Sequence, residues 1–218
     1  MINGVLLDFN GTLFQDTQYH VEAFDRLTRE LFNRGLSEAE FLQNCAGVPN
    51  DGILRYLSHD TLNAEERQMY SLRKEAYYRE AVRNARPRAQ LTAGSEELFD
   101  HLVHMHIPFT IVSASIRENI DFFVEWFSLA KWFDPGRIIY DNGTYTSKTQ
   151  MFRDACTLLG CTHPLVIEDS LSGIRCAVEI SAPVIVIESG ISDRIAAEEV
   201  TAIVKDMKPV PEIIRRLL

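Results

Sequence analysis

The chain is poor in features that would assign it to several broad classes. It has four cysteines, Cys45, Cys156, Cys161 and Cys176, and no two form a Cys-x-x-Cys pair. That spacing argues against a zinc knuckle or a redox motif, and a chain of 218 residues does not need disulfide staples to fold. The cysteines read as reduced, mostly buried thiols of a cytoplasmic protein. No apolar run approaches the roughly 20 residues of a membrane span, and the start, Met1-Ile2-Asn3-Gly4, lacks a basic stretch followed by a long apolar one, so no signal peptide is expected. There is no Lys/Arg-rich run, and the formal net charge is -9. Nucleic acid and anionic membranes are therefore poor partners, and an anionic substrate would need a local cation. Internal repeats and low-complexity segments are also missing.

What is present is a globular composition, 46% hydrophobic and 24% charged, and one stretch that gathers chemistry at its end. In Gly4-Val5-Leu6-Leu7-Asp8-Phe9-Asn10-Gly11-Thr12-Leu13 an apolar run meets an aspartate, and a glycine follows three positions later. This pattern predicts a buried strand over 3–9 that ends in a sharp turn, with the Asp8 carboxylate at the lip of a sheet. Carboxyl ends of strands are where open α/β sheets bind ligands.

Downstream, apolar residues at three- and four-residue spacings predict a helix from about 16, with Gly35 as its stop. Ser37-Glu38-Ala39-Glu40 has the form of a capping box opening a short helix. Residues 47–52 read as a loop, and Ile53, Leu54 and Leu57 as a further short helix. Thr61 or Asn63 would cap a long charged helix over about 64–84. Pro87 closes this block, and the pattern then changes. Strands are expected at 108–112, 137–140, 165–167, 184–187 and 202–204, with helices at about 94–105, 118–127, 148–159, 171–180 and 192–198, and one beginning at Pro211. Strands alternating with helices predict an α/β fold, a Rossmann-like doubly wound parallel sheet core with an inserted all-helical cap subdomain. The expected division is 1–14 and 87–218 for the catalytic core and 15–86 for the cap, which leaves and rejoins the sheet at the lip and so would act as a lid.

Four polar clusters fall at carboxyl ends of these strands or just before a helix: Asp8 with Asn10, Ser113, Lys148, and Glu168-Asp169. A carboxylate can attack phosphorus and hold the phosphoryl group covalently. A second acidic cluster can join it in binding Mg²⁺, which prefers oxygen ligands. A lysine and a hydroxyl can bind the phosphoryl oxygens. Ser115 could donate to phosphate or cap the next helix. His101, His104 and His106 sit near a helix end, where imidazoles suit the dipole, and no further ligand completes a zinc site. Phe122, Phe123, Trp126 and Phe127 at helical spacing predict core packing.

In this order and spacing the motifs resemble those of the haloacid dehalogenase-like superfamily. Asp8-Phe9-Asn10-Gly11-Thr12-Leu13 resembles its first motif, Ile111-Val112-Ser113-Ala114-Ser115 its second, Lys148 its third, and Glu168-Asp169-Ser170-Leu171-Ser172-Gly173-Ile174 its fourth. The helical insertion resembles the small cap found in phosphoglycolate phosphatase and β-phosphoglucomutase. The resemblance implies a Mg²⁺-dependent phosphatase of small phosphorylated metabolites, a monomer or weak homodimer. It implies that Asp8 is the nucleophile, and that Asp8, the Asn10 backbone carbonyl, Asp169 and Glu168 serve the metal. Ser113, Ala114, Lys148 and backbone amides of Asn10 or Thr12 would hold phosphate. His20 stands where such proteins often carry a histidine on the first cap helix. The chain departs from the pattern at Asn10, where the family usually has an Asp that serves as general acid and base. Gln15 and Thr149 also depart from it, and the loop around Gly47 lacks the basic residue of the mutases.

Overall fold

A computed structural model describes residues 1–85, 87–188 and 200–218. The helix expected at 192–198 lies outside the described residues. Among the described residues six strands form one parallel sheet: β1 (Gly4–Leu7), β2 (Phe109–Ile116), β3 (Ile139–Asp141), β4 (Pro164–Glu168), β5 (Val184–Ile187) and β6 (Ala202–Val204), in the order β3-β2-β1-β4-β5-β6. This is the doubly wound, Rossmann-like α/β arrangement that the alternation implied. The chain steps outward on one side from β1 to β2 and β3, and on the other from β4 to β6. The reversal puts a crevice beyond the carboxyl ends of β1 and β4, the usual ligand site of such sheets.

Alternation along the strands explains why both faces are covered. Leu6, Val112, Val166, Val184 and Val186 pack in one cluster with Met151, Phe152 and Ala155 of α7 (Lys148–Leu159) and with Ile174 and Ala177 of α8 (Leu171–Glu179). Val5, Leu7, Ile111, Ile167 and Ile185, which alternate with these, are just as buried. A parallel strand buried on both sides reads as a continuous apolar run, as here. Each such side chain contributes roughly 1.5–3 kcal/mol by leaving water.

The Cα positions fall into two compact units, Met1–Gln15 with Gln90–Leu218, and Asp16–Ala89. The first holds the sheet. Its two chain crossings are tied together, because Thr92 donates its backbone N–H to the Leu13 carbonyl at 2.8 Å and its hydroxyl to the Thr12 carbonyl at 2.7 Å.

The second unit is all-helical: α1 (Thr17–Phe32), α2 (Glu38–Asn44), α3 (Asn50–Ser58) and α4 (Ala64–Asn84). Phe24, Leu27, Leu36, Phe41, Ile53, Leu54 and Leu57 form its core. Asn63, rather than Thr61, caps α4, in a full capping box with Glu66. Around Ser37 only half of the expected box forms. Its hydroxyl accepts from the Glu40 N–H, while the Glu40 carboxylate turns to Arg34 and Tyr56. Several boundaries differ from the sequence reading: β1 ends at Leu7 rather than residue 9, β3 starts at Ile139 rather than 137, and the units divide after Gln15 and Ala89 rather than after 14 and 86. α1 stops at Asn33, in the left-handed region at φ 51°, not at Gly35, because Asn tolerates that conformation. The loop expected over 47–52 is helical from Asn50, just after Pro49. β2 runs on to Ile116, past the expected end at 112. No helix of the described residues is long and apolar enough to cross a membrane.

Candidate active site

The residues after β1 build the lip. Asp8 donates its backbone N–H to Ile167 on β4 at 2.9 Å, and Phe9 then closes a tight turn in which Phe14 and Thr12 donate to its carbonyl at 2.9 and 3.2 Å. Gly11 takes φ +77° in that turn, and a Cβ there would lie 2.1 Å from Asp169 Oδ2. Only glycine meets both demands. The turn is anchored from behind by aromatics. Phe9 stacks on Phe123 of α6 (Arg117–Trp126) with ring centroids 4.1 Å apart, and Phe14 meets Phe127 edge-on at 5.0 Å. The Phe/Trp group is thus core packing that holds the Asp8 loop.

Asp8, Glu168 and Asp169 converge, with one carboxylate oxygen of each within 4.8 Å of the others. Among the described residues this is the one such group of His, Cys, Asp and Glu side chains; the histidines at 101, 104 and 106 form none. Lys148, the first residue of α7 after the cap Ser147, bridges Asp8 Oδ1 at 2.5 Å and Glu168 Oε1. The Glu168 side chain is fully buried. Its Oε2 accepts the backbone N–H groups of Asp169 and Ser170 at 2.7 Å each and the Ser170 hydroxyl at 3.0 Å. Asp169 Oδ1 accepts the Thr12 hydroxyl at 3.2 Å. Burial pushes the Asp8 carboxyl up to about 7, with Glu168 adding to the rise and Lys148 opposing it. Burial alone would lower Lys148, but Asp8 and Glu168 hold its ammonium well above the ordinary value.

Asn10 faces the second cluster. Its Oδ1 accepts the Ser115 hydroxyl at 2.7 Å and the Ser113 hydroxyl at 3.4 Å, and Ser113 Oγ in turn accepts the Ser115 N–H at 3.2 Å. The carbonyl end of the carboxamide is thereby directed at β2. Ser115 neither caps the next helix nor stands apart from the site: the cap position is Ile116, and Ser115 orients Asn10. Ala114 lies between them on β2. The Thr12 amide is used inside the turn, so its reach into the cluster runs through its hydroxyl.

His20 lies in the helical unit, in the first turn of α1. Lys74 Nζ is 2.7 Å from its Nδ1, and its Nε2 is 3.2 Å from Asp16 Oδ2. Because the ammonium can only donate, Nδ1 accepts and Nε2 carries the proton toward Asp16. The ring stacks on Tyr78 at 4.3 Å, and Tyr78 donates to Asp16 at 2.5 Å. Lys74 is 1% exposed and also pairs with Glu75 at 2.9 Å. Burial lowers its ammonium, and Glu75 and Asp16 resist that shift.

Reasoning from the sequence passed over Lys74, the orienting role of Ser115 and the steric role of Gly173, where a Cβ would lie 1.7 Å from Glu168 Oε1. Gly173 carried a signal, a small residue in the first turn of the helix that follows the acidic pair. Lys74 carried none, since it lies on a helix charged all round.

The three acids can hold a hard cation. Three oxygen donors converge, an ammonium already occupies part of the space between two of them, and Gly11 leaves room beside the third. The haloacid dehalogenase-like hydrolase family model matches residues 5–187. A hydrolase of family IA, variant 3, from Entamoeba histolytica is similar over 98% of this chain and 99% of its own, at 27% identity and a TM-score of 0.88. The β-phosphoglucomutase of Clostridium difficile shares the fold over 100% and 99% of the two chains, at 17% identity and a TM-score of 0.79. A predicted phosphoglycolate phosphatase from Haemophilus somnus shares it over 97% of each, at 15% and 0.80.

Proposed function

This chain belongs to the haloacid dehalogenase-like hydrolase family, and from that premise we propose that it is a Mg²⁺-dependent phosphatase acting on a small phosphorylated metabolite. One observation carries the reading: a buried carboxylate at a strand end, Asp8, meets a lysine and two further acids at the switch point of the sheet. Asp8, the backbone carbonyl of Asn10 and Asp169 would hold Mg²⁺, with Glu168 in support. When bound, the ion supplies positive charge that lets the anionic phosphoryl group approach a carboxylate cluster.

The chain's own residues then have distinct tasks. An Asp8 oxygen attacks phosphorus, the bond to the leaving oxygen breaks, and the phosphoryl group is held as an aspartyl-phosphate. Water attacks that phosphorus, and Asp8 leaves as a carboxylate. Lys148 opposes the burial that raises the Asp8 carboxyl and, with Ser113, the backbone around Ala114 and the Thr12 hydroxyl, meets the phosphoryl oxygens. Asn10 is the weak point. A carboxamide neither protonates a departing alkoxide nor deprotonates water at neutral pH, and such help is typically worth about 10²- to 10⁴-fold. Turnover of alkyl phosphates should therefore be slow, while aryl and acyl phosphates, whose leaving groups need little protonation, lose less.

The helical unit acts as the cap, with His20 as a candidate contact to substrate. The net charge of -9 favours a metabolite over nucleic acid or an anionic membrane. A cytoplasmic monomer or weak homodimer fits this reading. Asn10 also favours a second one, a protein that binds metal and phosphate on the same fold without turnover. Hydrolysis of p-nitrophenyl phosphate separates the two. The phosphatase reading expects turnover with Mg²⁺, none with EDTA and none in Asp8→Asn; no turnover under any condition supports the binding protein.

A further inference from the structure

Cys156 and Cys161 flank the end of α7 that lies opposite Lys148. Gly160 ends the helix in the left-handed region at φ +67°, and the Cys161 N–H returns to the Cys156 carbonyl at 3.0 Å. Helix ends of this kind usually bring two apolar side chains together at these positions. Here both side chains are thiols, and this helix end turns them toward one another. A disulfide needs Cα atoms roughly 4.4–6.8 Å apart, and the backbone hydrogen bond between these two residues draws their main chains together. Cys161 also fills the space left by Gly4 on β1, whose added Cβ would lie 2.7 Å from its own. Its sulfur is therefore held in place.

We propose that Cys156 and Cys161 are a reversible oxidation site, forming a disulfide across the end of α7 when a hydroperoxide is the oxidant. The thiolate of one cysteine attacks the peroxide O–O bond, which is reduced and releases water, and leaves a sulfenic acid. The other sulfur attacks that sulfur, the S–O bond breaks, and a second water leaves. Two thiols are thus oxidised by one peroxide, and a dithiol reverses the change. Either cysteine can be the attacking thiolate, with the other as its resolving partner. Cys45, in the helical unit, is buried without such a partner, and burial with the nearby Glu40 pushes its thiol up to about 11. It serves as an internal comparison.

The test treats the full chain with hydrogen peroxide, alkylates remaining thiols and maps the peptides by mass. The expected product has lost two hydrogens, links Cys156 to Cys161, leaves Cys45 alkylated, and returns to four alkylated cysteines after dithiothreitol. In Cys156→Ser and in Cys161→Ser the link disappears, and in at least one of the two the remaining cysteine gains oxygen or, with glutathione present, a mixed disulfide. Four alkylated cysteines after peroxide, a link between any other pair, or an unreactive remaining cysteine in both single variants would overturn the proposal.

Discussion

Two glycines in this molecule are placed by the carboxylates beside them. Gly173→Ala would drive a Cβ to 1.7 Å from Glu168 Oε1, and the carboxylate would have to leave Lys148. Overpacking of this kind costs about 1–3 kcal/mol, so the variant should unfold at lower denaturant and bind Mg²⁺ more weakly; an unchanged midpoint would show that Glu168 can move without cost. The metal assignment has a sharper test. Asp169→Ala should lose Mg²⁺ binding in calorimetry and keep its fold, since removing one of three clustered acids relieves repulsion in the metal-free protein. The pH dependence follows from Asp8. Its carboxyl is raised from 3.8 to about 7, so between those values the metal-free protein carries a proton there that Mg²⁺ must displace. Mg²⁺ affinity should therefore fall as pH drops below about 7, with proton release on binding. The same shift makes the metal-free fold lose stability as pH rises through that window, because the unfolded chain has already given up the proton. At this scale the sequence located the carboxylates and Lys148, since each ends an apolar run or begins a helix. It did not show that Ser115 turns to Asn10, which depends on β2 running on to Ile116. Nor did it reveal Lys74, because a buried ion-paired lysine and a solvated one look alike in a charged helix.

Elements were legible where local chemistry agreed with packing. The α/β alternation came from strands with continuous apolar runs, and the strand order places their chemistry at one crevice. Boundaries were less so. A left-handed Asn33 ends α1 as well as a glycine would, and only neighbours decide between them. Asn63 is the clearest cap, with both halves of its box formed. Asn63→Ala should destabilise the helical unit by about 1 kcal/mol, read as a lower denaturation midpoint, while Thr61→Ala, at the rejected cap position, should change it less.

For the molecule as a whole, the insertion between β1 and β2 is a unit of its own, and its two ends are hydrogen-bonded neighbours in the core through Leu13, Thr12 and Thr92. Replacing residues 16–89 by a short loop should leave a folded core that still binds Mg²⁺ but ranks substrates differently, because closure excludes water and positions the leaving group. An unchanged rank order would remove the specificity role from the cap. The central claim is that the core is a phosphatase working without the acid–base carboxyl of its family. The most direct measurement compares Asn10→Asp with the Asn10 chain on an alkyl phosphate and on p-nitrophenyl phosphate, with Mg²⁺ present. The account predicts a gain of about 10²- to 10⁴-fold on the alkyl ester and a much smaller one on the aryl ester. Equal gains on both esters, or no hydrolysis of either by Asn10→Asp, would contradict it.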